Sequence, residues 1–114
     1  MKIELAKTEI IHFVGIGGIG MSGLASIMHD LGFKVQGSDL NINKNIERLK
    51  KKKIKIYLGH NKKNVTNSTI LVVSSAIKKS NPEIFLAKKK NLPIYKRGDM
   101  LAHIVSLLNR NIVV

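Results

Sequence analysis

His12-Phe-Val-Gly-Ile-Gly-Gly-Ile-Gly-Met-Ser-Gly23 decides the fold of this chain. Five of the nine glycines fall between Gly15 and Gly23. The apolar run Ile10, Ile11, Phe13, Val14 precedes them, and Met21, Leu24, Ile27, Met28 and Leu31 follow at helical spacing. The stretch therefore reads as strand, glycine loop and helix. Gly15, Gly17 and Gly20 stand at the G-x-G-x-x-G spacing, where a missing Cβ permits a tight turn, close approach of a ligand to backbone, and close packing of helix on strand. The helix turns its unpaired N–H groups and positive dipole end toward the loop, which favours an anion by about 0.3–1 kcal/mol per charge. A diphosphate is the natural guest, although the same glycines also serve as a plain packing device.

Working outward, Gly32 is a stop for the first helix, and Phe33 to Ser38 reads as a second strand. Asp39 follows, 19 residues beyond Gly20. An acid at that distance accepts hydrogen bonds from ribose hydroxyls in dinucleotide folds; as a turn cap, it would instead serve the Asn41 and Asn43 region. Ile42, Ile46 and Leu49 mark a second helix with a lysine-rich outer face, and Ile54 to Leu58 a third strand closed by Gly59 and His60. His60 reads equally as a ligand contact at a strand's carboxyl end and as an ordinary turn histidine. His12, inside the first strand, reads as a packed or hydrogen-bonded core residue.

Asn61 to Ser68 is expected to be polar loop, and Thr69 to Ser74 a buried strand that runs into Ser74-Ser75-Ala76-Ile77. Those hydroxyls suit ligand oxygens and Ile77 suits a flat ring, while strand-end serines also serve turns. Ser80 and Glu83 have capping-box spacing, with Asn81 as the competing cap and Pro82 in the first turn of a helix through Lys90. Leu92 to Tyr95 is expected at the sheet's edge because of Pro93. Asp99, Met100, Leu101, Ile104, Val105 and Leu108 describe a last helix. Asn111 to Val114 then looks like the start of another strand, as if the chain were cut from something longer. Strands alternating with helices predict a doubly wound α/β fold: a Rossmann-like sheet of about five parallel strands, helices on both faces, in one domain over residues 1–114.

With 114 residues and 44% hydrophobic content, one core is expected. The formal charge of +13 raises the question of nucleic acid. Of the 20 basic residues, however, all but Arg48, Arg97 and Arg110 are lysines, spread over short runs such as Lys50–Lys53 and Lys88–Lys90. Base readout favours arginine and single strands favour aromatics, so the charge reads as solvated surface, and neither nucleic acid nor membrane is an expected partner. There is no signal peptide, no apolar run of membrane-spanning length and no cysteine, and a cytoplasmic location is expected. The motifs G-x-x-x-x-G-K-[ST], H-E-x-x-H and G-x-S-x-G are missing, and the four histidines lack metal-ligand spacing. By its residues the chain is a binder of a phosphorylated, nucleotide-like ligand without catalytic or metal-binding groups of its own.

Five separated motifs, His12 to Ala25, Gly37-Ser38-Asp39, Gly59-His60, Ser74-Ser75-Ala76-Ile77 and Asn81-Pro82-Glu83, resemble in order and spacing the N-terminal domain of the Mur ligase family. Within it, the Ser74 to Ile77 edge is more similar to the alanine-adding branch than to the muropeptide-recycling one. The resemblance covers residues 8–114. It implies a Rossmann-like unit that holds the UDP part of UDP-N-acetylmuramate, with the diphosphate on backbone N–H groups of Gly15, Ile16, Gly17, Gly18, Ile19 and Gly20. Asp39, His60, Ser74, Ser75, Ala76 and Ile77 would surround the uridine. It further implies a central ATPase domain using ATP and magnesium and a C-terminal domain for the amino acid, neither of them in this chain, so that the chain alone would ligate nothing. A nicotinamide-dinucleotide module using Gly15, Gly17, Gly20 and Asp39 is the reading from another class.

Overall fold

A computed structural model describes residues 3–112. Five strands, β1 (Ile10–Val14), β2 (Lys34–Asp39), β3 (Lys55–Leu58), β4 (Ile70–Val73) and β5 (Ile94–Lys96), form one parallel sheet in the order β3-β2-β1-β4-β5. The helices are α1 (Met21–Asp30), α2 (Lys44–Lys51), α3 (Pro82–Lys89) and α4 (Arg97–Ile112), with a 3-10 turn over Lys62–Val65. The doubly wound α/β fold is thus the one the alternation predicts. Its strand order reverses between β1 and β4, the place where such sheets bind ligands.

Side chains alternate across a strand, so each residue of β1 serves one of two layers. Ile11 and Phe13, with Val35, Ile70 and Val72, meet Met21, Leu24 and Met28 of α1, Ile46 and Leu49 of α2, and Met100 and Ile104 of α4. Val14 and Leu71 face the other way, against Val65 and Ala87. His12 shares that second side with Val14. The core is therefore apolar under α1, α2 and α4 but partly polar under α3.

Several boundaries differ from expectation. β5 begins after Pro93, which lacks an N–H to give, although its carbonyl accepts from the Leu71 N–H at 3.0 Å. Asn81, and not Ser80, caps α3, since its side chain accepts from the Glu83 N–H. Ile42 lies outside α2, 52% exposed, because the Asn43 side chain takes the Ile46 N–H and starts the helix later. The Asn61 side chain likewise takes the Lys63 N–H and begins the 3-10 turn inside the expected loop. Asn111 and Ile112 continue α4 and do not open a strand, whereas Val113 and Val114 lie outside the described residues. Among the described residues no helix is long and apolar enough to cross a membrane.

Three helices end in the same hydrogen-bond pattern, with a left-handed residue just past the cap. For α1 that residue is Gly32 at φ 95, and the Phe33 and Gly32 N–H groups reach the Met28 and His29 carbonyls. For α2 and α3 it is Lys53 at φ 67 and Asn91 at φ 58. A side chain at Lys53 is held in a region that disfavours Cβ. Lys53→Gly is expected to raise stability by about 0.5–1 kcal/mol, read as a higher urea midpoint at constant slope.

Candidate functional site

The glycine loop folds back over β2. Ile16, fully buried, lies on Gly37, where a Cβ would come within 2.6 Å of the Ile16 side chain and 2.7 Å of the Phe13 carbonyl oxygen. The Gly15 and Ile16 N–H groups both bond the Ser38 carbonyl, at 2.8 and 3.0 Å. The Gly17 N–H donates to Asp39 Oδ2 at 2.8 Å, and the Gly18 N–H closes a turn onto Gly15. The six N–H groups from Gly15 to Gly20, expected on a diphosphate, are thus not equivalent. Four of them hold the loop itself, and among the described residues the N–H groups of Ile19, Gly20 and Met21 have no protein acceptor.

Asp39 is likewise a loop clamp. Its Oδ2 accepts from Gly17 and its Oδ1 from Leu40, and a Cβ at Gly17 would meet Oδ2 at 2.9 Å and Ile46 at 2.8 Å. Gly17 is thus glycine because the Asp39 carboxylate and α2 approach the loop closely.

At the switch between β1 and β4 opens a cleft of about 490 Å³, a volume in the range of ligand sites. Gly18 and Ile19 form one wall, Ser74, Ser75 and Ala76 the second, and Lys96, Arg97, Gly98 and Asp99 the third. Ile19 stands 96% exposed at the top of the loop. Ile77 reaches back under the loop, within 3.1 Å of where a Gly15 Cβ would lie. The structure thus brings Gly15, Gly18, Ile19, Gly20 and Ser74 to Ile77 together, while Asp39 and His60 stand on the β2–β3 side.

Arg97 was legible only as one of three arginines. Its guanidinium lies against Gly20, where a Cβ would sit 3.1 Å from Nη1. Among the described residues no carboxylate pairs with it. A basic pair, Lys96-Arg97, at the carboxyl end of β5 was the signal that placed it near the switch point, had the strand order been known.

Beneath the sheet's other side lies a second polar centre. Glu83, fully buried in the first turn of α3, has four donors. Oε1 lies 2.7 Å from His12 Nε2 and 2.6 Å from Ser38 Oγ; Oε2 accepts from Asn64 Nδ2 at 2.7 Å and from the Asn61 N–H at 3.0 Å. Gln36 Nε2 gives its two protons to the Asn64 carbonyl and to His12 Nδ1, each at 2.9 Å. His12 therefore carries its proton on Nε2 and donates it to Glu83. Burial pushes the Glu83 carboxyl up, but the hydrogen bond from His12, with those from Ser38 and Asn64, outweighs it. The carboxyl ends below its ordinary value of 4.5. His60 Nδ1 meets Ser38 Oγ at 2.9 Å and so joins this network. The capping-box reading of Glu83 is overturned: its side chain points into the core, and Asn81 does the capping.

Fold and site together define a Rossmann-like domain with an open cleft at its switch point. The chain belongs to the Mur ligase family, whose catalytic-domain model matches residues 10–108. It is 73% identical over 114 residues to a UDP-N-acetylmuramate–L-alanine ligase of Pelagibacter ubique, spanning all of this chain and 24% of that one. A ligase of the same name from Bartonella bacilliformis is 54% identical over 92% of this chain and 22% of its own length. The crystal structure of UDP-N-acetylmuramate-alanine ligase from Thermotoga maritima superposes with a TM-score of 0.78 at 35% identity, over 89% of this chain and 23% of that one. A murein peptide ligase from Psychrobacter arcticus gives 0.78 at 27% identity, over 83% and 20%. The chain spans about a quarter or less of each of these proteins.

Proposed function

We propose that the chain holds the UDP moiety of UDP-N-acetylmuramate within an ATP-dependent ligase that adds L-alanine in peptidoglycan precursor synthesis. The observation that carries this reading is the cleft at the β1–β4 switch point, walled by the glycine loop, two serine hydroxyls and an arginine that no carboxylate of the described residues pairs with. In it the Ile19 and Gly20 N–H groups and the Arg97 guanidinium take the diphosphate oxygens, Ser74 and Ser75 offer hydroxyls, and Ala76 and Ile77 offer apolar surface. His60 faces the nucleoside from the β3 end, and Asp39 acts through the loop it clamps. High identity to alanine-adding relatives supports that branch over the muropeptide-recycling one.

ATP and magnesium do not fit the residues of this chain. Among the described residues no three His, Asp or Glu side chains gather into a metal site, and the sequence holds no G-x-x-x-x-G-K-[ST]. The proposal therefore assigns them, with the amino-acid site, to central and C-terminal domains matching the parts of the relatives this chain does not span, and the chain alone ligates nothing. In the nicotinamide reading Asp39 accepts from ribose hydroxyls, and its engagement with Gly17 and Leu40 weighs against that.

Titration of the chain with UDP-N-acetylmuramate, followed by NMR and calorimetry, is expected to move the resonances of Ile19, Gly20 and Arg97, with no response to NADH. Arg97→Gln is expected to weaken binding about tenfold or more, the loss of a charged hydrogen bond worth about 1.5–3 kcal/mol. An unchanged spectrum at millimolar UDP-N-acetylmuramate overturns the reading.

A further inference from the structure

We infer that Glu83 is a positioning residue: acting through Ser38, it holds His60 in the tautomer that presents Nε2 to a ligand as a hydrogen-bond acceptor. Ser38 has a single hydroxyl proton and two neighbours that compete for it, Glu83 Oε1 at 2.6 Å and His60 Nδ1 at 2.9 Å. An ionised carboxylate only accepts, so the proton lies toward Glu83. Ser38 Oγ must then accept from His60, and Nδ1 carries the hydrogen. In the neutral ring Nε2 is left with its lone pair.

The rest of the shell keeps this arrangement from reversing. The other lone pairs of Glu83 are taken by His12, Asn64 and the Asn61 N–H, and the His60 ring lies 3.7 Å from Oε2, beyond hydrogen-bond reach. His60 is 11% exposed in its side chain, and among the described residues no protein atom bonds Nε2. No buried side-chain nitrogen or oxygen of the described residues lacks a partner, so Nε2 opens to solvent. Ser38 also receives the Gly15 and Ile16 N–H groups on its carbonyl, which joins the histidine rigidly to the glycine loop.

The chemical consequence is selectivity by hydrogen-bond polarity. At the carboxyl end of β3, His60 rewards a ligand N–H or O–H, such as a pyrimidine imide or a sugar hydroxyl, and repels a carbonyl or phosphate oxygen placed against Nε2. Only the identity of that ligand rests on the UDP-sugar reading; the tautomer does not.

Nitrogen-15 NMR of the imidazoles near pH ~8, where histidine is neutral, tests the inference on the ligand-free chain. The expected result is Nδ1–H at His60, against the usual preference of imidazole for Nε2–H. Ser38→Ala, which removes one hydroxyl and no packing bulk, and Glu83→Met, which removes the acceptor that takes the Ser38 proton, are both expected to shift His60 toward Nε2–H. A wild-type ring already protonated at Nε2, or one unchanged in Ser38→Ala, overturns the inference. In a second arm UDP is added. Shifts at Gly20 and Arg97 with His60 Nε2 unmoved overturn the presentation to ligand and leave the UDP reading standing. No shift anywhere overturns the UDP reading, and the ligand-free spectra still decide the tautomer.

Discussion

Glu83→Ala is expected to lower the unfolding free energy by about 3–5 kcal/mol, the cost of removing one partner from a buried charged network. His12, Ser38, Asn64 and the Asn61 N–H would each lose an acceptor, and the first three of these residues are buried. Against a total stability of about 5–15 kcal/mol for a domain this size, that is a large fraction. Urea denaturation should show a lower midpoint with an unchanged slope. As a surface control, Lys52→Ala breaks the exposed Lys52–Asp30 pair and is expected to change stability by less than about 1 kcal/mol.

The same network makes stability depend on pH. The native Glu83 carboxyl stays ionised below the ordinary 4.5, whereas the unfolded chain's does not. Its contribution is therefore complete above pH 4.5 and is lost as pH falls through the lower native value. Glu83→Ala should flatten that acid limb. A limb of unchanged steepness in the variant would place its origin in another group.

Gly37→Ala is the second large effect, with an expected loss of about 3 kcal/mol from overpacking. The added methyl would stand 2.6 Å from Ile16 and 2.7 Å from the Phe13 carbonyl oxygen, and the latter is backbone within the sheet's central strand. Relief requires lifting Ile16 and with it the glycine loop. By the proposed function, UDP-sugar affinity should fall together with the melting temperature. Gly23→Ala, in helix α1 with open space where its Cβ would go, is expected to be neutral or stabilising by about 0.5–1 kcal/mol. A Gly37→Ala variant as stable as the wild type would mean that the loop does not pack on β2 as described.

Periodicity exposed the fold because the apolar residues of β1 and α1 recur at spacings only one kind of element satisfies. Boundaries slipped where a side chain, not a pattern, starts the element, as at Asn43, Asn61 and Asn81. The site was half legible. Gly18, Ile19 and Ser74 to Ala76 were found from motif and strand-end position, and they line the cleft. Arg97 and Lys96 were not, because their place beside the loop depends on strand order and not on any local signal.

Local chemistry along the chain determined the strand–loop–helix opening at His12 to Gly23, the alternating elements and the membership of residues 10–108 in a ligase family. Tertiary structure alone decided which groups remain for a ligand. The Ser38 carbonyl and the Asp39 carboxylate, brought over by β2, consume the N–H groups of Gly15 to Gly17 that spacing had offered to a phosphate. Glu83, spaced in sequence as a cap, became the buried centre of a network 71 residues from its histidine partner. Hydrogen-bond capacity is shared in space, and only the packed chain shows which partner takes it.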